Sequence, residues 1–271
     1  MIKAIITDLD GTILPRGGVI SPQTYEAFAR VRARGLPCII ATGRNLHAAL
    51  KVLPPDLPID YLIFSSGAGL LRWSDRRILF SQHLQQEEAR QIAEYLWDFN
   101  INFTIQREIP NNHHFYYTAL YPRHEDYIRR VETYAPFGSL ISSPQEICSR
   151  ATQFVVILDP TQLRLLDRIR KELDNYSVVR STSPFDNRAI WLEIFAPQID
   201  KGHTCLRLVK ELGIEPSDCA GLGNDYNDVD FLDICGKAYV VSNAPVTLKK
   251  RYKPVKSDRE EGFSEFIGKM F

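Results

Sequence analysis

The chain has 271 residues, 44% hydrophobic and 24% charged, an ordinary globular mix long enough for two domains, which excludes a disordered, fibrous or coiled-coil protein. Thirty-three basic residues balance thirty-three acidic ones, so no overall field draws it to nucleic acid or to an anionic membrane surface. The longest apolar runs, such as 154–158, stop far short of the roughly 20 residues needed to cross a bilayer.

The N-terminus enters a strand at once, leaving no room for a secretory leader, and the cytoplasm is the expected compartment. Cys38, Cys148, Cys205, Cys219 and Cys235 form no CxxC pair, so they read as buried hydrophobes rather than a disulfide framework or zinc site. Residues 2–9 are a near-continuous apolar strand of the kind buried on both faces. It ends in Asp8-Leu9-Asp10-Gly11-Thr12. Positions i and i+2 of a strand share a side, so Asp8 and Asp10 can face one reacting group, and Gly11 lets the backbone turn sharply after them. The competing reading makes Asp10-Gly11 a plain turn dipeptide.

Ser21-Pro22 then caps and opens a helix with Tyr25, Phe28 and Ala29 on one face, closed by Gly35. Apolar runs at 37–41 and 61–64 end in Thr42-Gly43-Arg44 and Ser65-Ser66-Gly67. This alternation of strands and helices implies a parallel sheet. From about residue 82 strands come in antiparallel pairs, at 102–107, 114–119, 152–158, 177–181 and 190–195, with helices at 87–99, 125–134 and 163–173. Residues 138–150 read as an irregular connector. After 197 the first rhythm returns: Cys205, Leu208, Val209 and Leu212 fall at i, i+3, i+4 and i+7 of a helix, and residues 218–222 lead into Gly223-Asn224-Asp225-Tyr226-Asn227-Asp228. A strand at 238–241 and a C-terminal helix follow. The expected fold is α/β: a doubly wound, Rossmann-like parallel-sheet core formed by 1–82 and 188–271, with an α+β domain inserted at 83–187.

Ligands of open parallel sheets bind at the carboxyl ends of the strands. Asp8/Asp10, Thr42-Gly43-Arg44 and Asn224 to Asp228 all follow apolar runs, and Lys201 opens a helix just after another. Together they fit phosphoryl transfer, which depends on positioning and charge neutralisation. Asp8 is the candidate nucleophile. Asp10 is the candidate acid and base, protonating the leaving oxygen and then deprotonating water. Lys201 would add fixed positive charge, and the Thr42 hydroxyl with nearby main-chain N–H groups, Gly43 among them, would hold phosphoryl oxygens. Hard oxygen ligands without a His or Cys cluster point to Mg²⁺. Arg44 is open between substrate contact and a surface ion pair. Residues 111–114 read as a loop or turn, and His113 and His114, if neighbours in a strand, would face opposite sides and so not share an ion. Trp73, Trp97 and Trp191 read as core.

On these residues the whole chain resembles the haloacid dehalogenase superfamily phosphohydrolases, in their Cof-like and sucrose-phosphatase-like group. Asp8 to Thr12 matches the first motif, DxDGT; Thr42 matches the second; Lys201-Gly202 matches the third. Gly223 to Asp228 stands where the fourth, GDxxND, is expected. The resemblance implies a metal held by Asp8, the main-chain carbonyl of Asp10 and the first acidic position of the fourth motif, with Asn227 and Asp228 supporting. That position is Asn224 here and the acid has moved to Asp225, which leaves either as the ligand, Asn224 being favoured by register. It also implies that the inserted domain is a cap and that the activity is Mg²⁺-dependent hydrolysis of a small phosphorylated metabolite, a sugar phosphate first, through an aspartyl-phosphate. A phosphomutase is the alternative, and a catalytically weak ligand-binding protein the alternative from another class.

Overall fold

The computed structural model describes residues 1–271 except 122, 184, 186 and 187. Two compact units divide it, Met1–Ser81 with Asp200–Phe271, and Gln82–Ile199.

The first unit opens with β1 (Ala4–Thr7), four residues all buried. It is shorter than the apolar run, although the Asp8 N–H still donates to Leu222 O at 2.9 Å. The helix Pro22–Ala33 is capped by Ser21, whose Oγ accepts from Thr24 N at 3.0 Å. Its buried stripe is Thr24, Ala27, Phe28 and Val31. Ala29, expected inside, is exposed, because the i, i+3, i+4, i+7 stripe that includes Phe28 passes through 24, 27 and 31. β2 (Cys38–Ala41) and β3 (Tyr61–Phe64) pair parallel in the order β1-β2-β3. After β3 the chain departs from the all-parallel expectation. A tight turn at Ser65–Gly67 reverses it into β4 (Gly69–Arg72) and β5 (Arg77–Ser81), an antiparallel extension of the same sheet.

The second unit contains β6 (Phe103–Arg107), β7 (Phe115–Tyr117), β8 (Gly138–Leu140), β9 (Ala151–Leu158), β10 (Ser177–Thr182) and β11 (Ile190–Phe195). Among the described residues they form a six-stranded sheet in the order β10-β11-β9-β6-β7-β8. Its pairs are antiparallel except β7 with β8. The helix Gln86–Asp98 covers one face, with Trp97 edge-on to Phe103, which in turn meets Phe154. The helix Glu125–Thr133 sends Tyr127 and Val131 into the other, against Val155, Ile157 and Trp191. A third helix spans Leu163–Glu172.

Two expectations change here. The core was expected to resume at 188, but β11 is a buried strand hydrogen-bonded to both β9 and β10, so the second unit keeps the chain until Ile199. The connector 138–150 contributes β8. The remaining chain returns to the first unit as β12 (Cys219–Gly223), β13 (Lys237–Val241) and β14 (Lys253–Val255). Its eight-stranded sheet, again among the described residues, runs β14-β13-β12-β1-β2-β3-β4-β5.

Smaller readings also change. His113 and His114 lie outside a strand, with their rings 4.3 Å apart and both edge-on to Phe137. Cys148 is exposed and Cys235 intermediate, while the other three cysteines are buried. No helix among the described residues is long and apolar enough to cross a membrane.

Candidate active site

β1 has β2 on one side and β12 on the other, so the chain leaves it in one direction and comes back in the opposite one. That is a topological switch point, where a crevice opens beyond the strand ends. Asp8 follows β1, Thr42 follows β2 and Asn224 follows β12.

The sequence-predicted residues form one continuous chain of contacts. Lys201 Nζ lies 2.6 Å from Asp8 Oδ1 and 2.6 Å from Asp228 Oδ1, and all three side chains are almost wholly buried. Thr12 Oγ1 donates to the other Asp8 oxygen at 2.9 Å. Asp228 Oδ2 accepts from the main-chain N–H of Asn224 at 2.7 Å and of Asp225 at 3.0 Å. Asn224 Nδ2 donates to the Asp10 carbonyl at 2.9 Å. The Asp10 carboxylate is gripped by Arg44, Nε to Oδ2 at 2.7 Å and Nη2 to Oδ1 at 2.6 Å. The Arg44 N–H donates to Thr42 Oγ1 at 3.1 Å. Gly43 lies in the bend between the last two, half-buried.

Local structure explains the placements. Lys201 is the first residue of the helix Lys201–Glu211, whose N-cap Asp200 accepts from His203 N at 2.7 Å. Gly202 beside it is needed for close packing, since a Cβ there would lie 2.6 Å from the Asp230 backbone. Asp225 is the N-cap residue of the short turn Tyr226–Asp228, which also contains half-buried Asn227. Gly11 has φ +72°, and a Cβ on it would lie 2.5 Å from Asn224 Nδ2. Gly11→Ala should therefore cost about 1–3 kcal/mol from the left-handed backbone alone and push Asn224 off the Asp10 carbonyl. Urea unfolding together with an activity assay checks both effects.

The charges are strongly coupled. Burial, then the neighbouring Asp228, pushes the Asp8 carboxyl up to about 7, against the pull of Lys201. Burial works against the Lys201 ammonium, but Asp228 and Asp8 outweigh it and hold the group well above the ordinary lysine range. Two buried carboxylates thus share one cation, with Asp10 adding further negative charge at Asp8.

That excess of hard oxygen suits a divalent cation. Among the described residues no three His, Cys, Asp or Glu side chains form a ready cage. A site built from the Asp8 carboxylate, the Asp10 carbonyl and the Asn224 amide, completed by water and substrate oxygens, fits the way Mg²⁺ is usually held. Asn224 is the fourth-motif side chain that meets the Asp10 carbonyl, and a half-turn of its amide would present Oδ1 there.

Sequence reasoning missed two features. Asn243, just beyond β13, donates from Nδ2 to Gly11 O at 2.8 Å; its position past a strand's carboxyl end was the available signal. Nor did any pattern reveal that the partner of Arg44 is Asp10.

Known proteins agree with this architecture. The profile of the haloacid dehalogenase-like hydrolases matches residues 5–267. The 5-amino-6-(5-phospho-D-ribitylamino)uracil phosphatase YwtE of Bacillus subtilis is 25% identical over 292 aligned positions, spanning 99% of this chain and 98% of that protein. SMU.1108c of Streptococcus mutans superposes with a TM-score of 0.82 at 18% identity, over 100% of this chain and 99% of that one. BT4131, a subclass IIB sugar phosphatase, superposes with a TM-score of 0.78 at 17% identity, over 99% and 98% of the two chains. The chain belongs to the haloacid dehalogenase-like hydrolases. Within them its match is to the Cof-like group.

Proposed function

We propose that the protein is a Mg²⁺-dependent phosphatase that hydrolyses small phosphate monoesters, sugar phosphates or related metabolites, through an aspartyl-phosphate on Asp8. The observation that carries this reading is the buried Asp8–Lys201–Asp228 group at the switch point. Both Asp8 oxygens are held, by Lys201 and by Thr12, so the carboxylate is oriented before substrate arrives. Asp8 attacks phosphorus; an Asp8 Oδ–P bond forms as the ester P–O bond breaks, and the departing oxygen takes a proton from Asp10. Water then gives a proton back to Asp10 and attacks phosphorus, releasing phosphate and the free Asp8 carboxylate. Lys201, the Thr42 hydroxyl and the Gly43 main chain supply the electrostatic and hydrogen-bonding contacts to phosphoryl oxygens.

Asp8, the Asp10 carbonyl and Asn224 are the proposed holders of the metal, with Asn227 and Asp228 supporting and Asp225 outside the ligand set. Mg²⁺ bound there supplies positive charge that keeps Asp8 ionised and shields its approach to a dianion. A neutral amide at 224 should hold it less firmly than a carboxylate. Asn224→Asp is therefore expected to tighten Mg²⁺ binding about tenfold or more, and Asp225→Ala to change it little. Titration calorimetry on the two variants reads this, and a larger effect at 225 would reverse the assignment.

The substrate class is supported by the relatives, one described as a sugar phosphatase and one as acting on a phospho-D-ribityl compound. We assign the second unit the part of the cap that the resemblance implies. A panel of phosphorylated metabolites tests the reading. It predicts inorganic phosphate and the dephosphorylated product in equal amounts, abolished by a chelator. An isomerised phosphate ester without free phosphate would instead identify a phosphomutase.

A further inference from the structure

We infer that Arg44 is a positioning residue for Asp10, rather than a substrate ligand or an idle surface pair. The inference rests on the acid and base role proposed above for Asp10. Arg44 is fixed along its own backbone: its N–H donates to Thr42 Oγ1 at 3.1 Å and its carbonyl accepts from Ser65 N at 2.7 Å. Its guanidinium is steadied by Nη1 donating to Ala48 O at 3.4 Å. The Nε and Nη2 edge then meets both oxygens of Asp10 at 2.7 and 2.6 Å. A planar fork on a planar carboxylate fixes distance and also the rotation of the carboxyl group.

Asp10 needs such a restraint. Its side chain is 47% exposed, in contrast to the buried Asp8. Its carbonyl is held separately by Asn224, so Arg44 completes the immobilisation of the residue at its reacting end. Each carboxyl oxygen keeps a second lone-pair direction for a leaving oxygen or a water. A guanidinium meant to grip phosphate would present this forked edge to the substrate, and here Asp10 takes it. An idle exposed ion pair contributes little and would not need its guanidinium steadied from another side, as the Ala48 carbonyl does here.

The test compares Arg44→Met and Arg44→Lys with the parent enzyme on an alkyl phosphate and on p-nitrophenyl phosphate, in saturating Mg²⁺. The alkoxide must be protonated as it leaves, whereas the nitrophenolate departs unaided, and kcat/KM reports the step that expels it. Arg44→Met should lose about 10²-fold in kcat/KM on the alkyl ester, the scale of general-acid catalysis, and less than about tenfold on the aryl ester. Arg44→Lys should recover part of the alkyl loss, since one ammonium replaces only one arm of the fork. Equal losses on both esters, a raised inhibition constant for inorganic phosphate as the main effect, or no loss at all would each overturn the inference. Asp10→Asn serves as the control. If it lacks the same preference for the aryl ester, the acid role of Asp10 fails and takes the inference with it. If Asp10→Asn shows the preference and Arg44→Met does not, Arg44 alone is misassigned.

Discussion

Asp8→Asn leaves the protein folded and lowers phosphate release by about 10⁴-fold or more, the scale seen when a covalent nucleophile is removed from its own machinery. The amide has the shape of the carboxylate. Its oxygen can still accept from Lys201, and its nitrogen can meet the Thr12 hydroxyl, which turns to accept. The nucleophile is lost, and with it a charged holder of the metal. The stability change has a definite sign. Burial and Asp228 push the Asp8 carboxyl up to about 7 in the folded protein, against about 4 for an unfolded aspartate. Between these values the folded state binds a proton that the unfolded state has released, so the contribution of Asp8 is full below pH 4 and is lost as pH rises through 7. Asp8→Asn carries no such dependence. In urea, with a chelator present, the variant should therefore gain on the parent protein between pH 5 and pH 8. A parent that gains instead would show that Lys201 dominates the carboxyl.

Lys201→Met has the largest expected effect on stability. The ammonium is 1% exposed and is shared by Asp8 and Asp228. Removing it strands two carboxylates in a buried space, and breaking a buried pair by deleting one partner typically costs about 3–5 kcal/mol. The stranded acids will hold protons more tightly in the folded state, so the loss grows as pH rises from 5 to 8. Urea midpoints across that range measure it. Lys201→Met with Asp228→Asn removes one stranded charge and should recover part of the stability without recovering activity, since Asp8 still lacks its cation. An unchanged midpoint in Lys201→Met would mean that the acids are already neutral without help.

Much of this was readable because it followed from local rules. The apolar runs before Asp8, Thr42 and Asn224 are strands with polar ends, and strand ends at a switch point gather ligands. Ile190–Phe195 reads as one of the antiparallel strands of the inserted region, where the structure has it, and only the boundary at 188 puts it in the core; a buried strand looks the same whichever sheet it joins. The hairpin of β4 and β5 was missed for a related reason: the turn Ser65–Gly67 that reverses the chain resembles the start of a crossover. Tyr25, Phe28 and Ala29 also fit helical spacing, but on a face one position off the stripe of Thr24, Ala27, Phe28 and Val31 that the helix buries. The grip of Arg44 on Asp10 joins residues 34 positions apart and depends on how β1 and β2 lie side by side, which no spacing rule contains. The same holds for Asn224 and the Asp10 carbonyl, 214 positions apart. Asp8, Asp10, Thr42 and Lys201 were therefore legible as a set of residue types, while the contacts that orient them were legible only in the fold.

The central claim is that phosphorus is bonded to Asp8 before it reaches water. Its most direct test is the stereochemical course of hydrolysis of a phosphorothioate ester made chiral with two oxygen isotopes, in water of the third. Two successive in-line displacements, first by Asp8 and then by water, predict thiophosphate with retained configuration. Inverted configuration would mean that water attacks the ester directly, and would contradict the account.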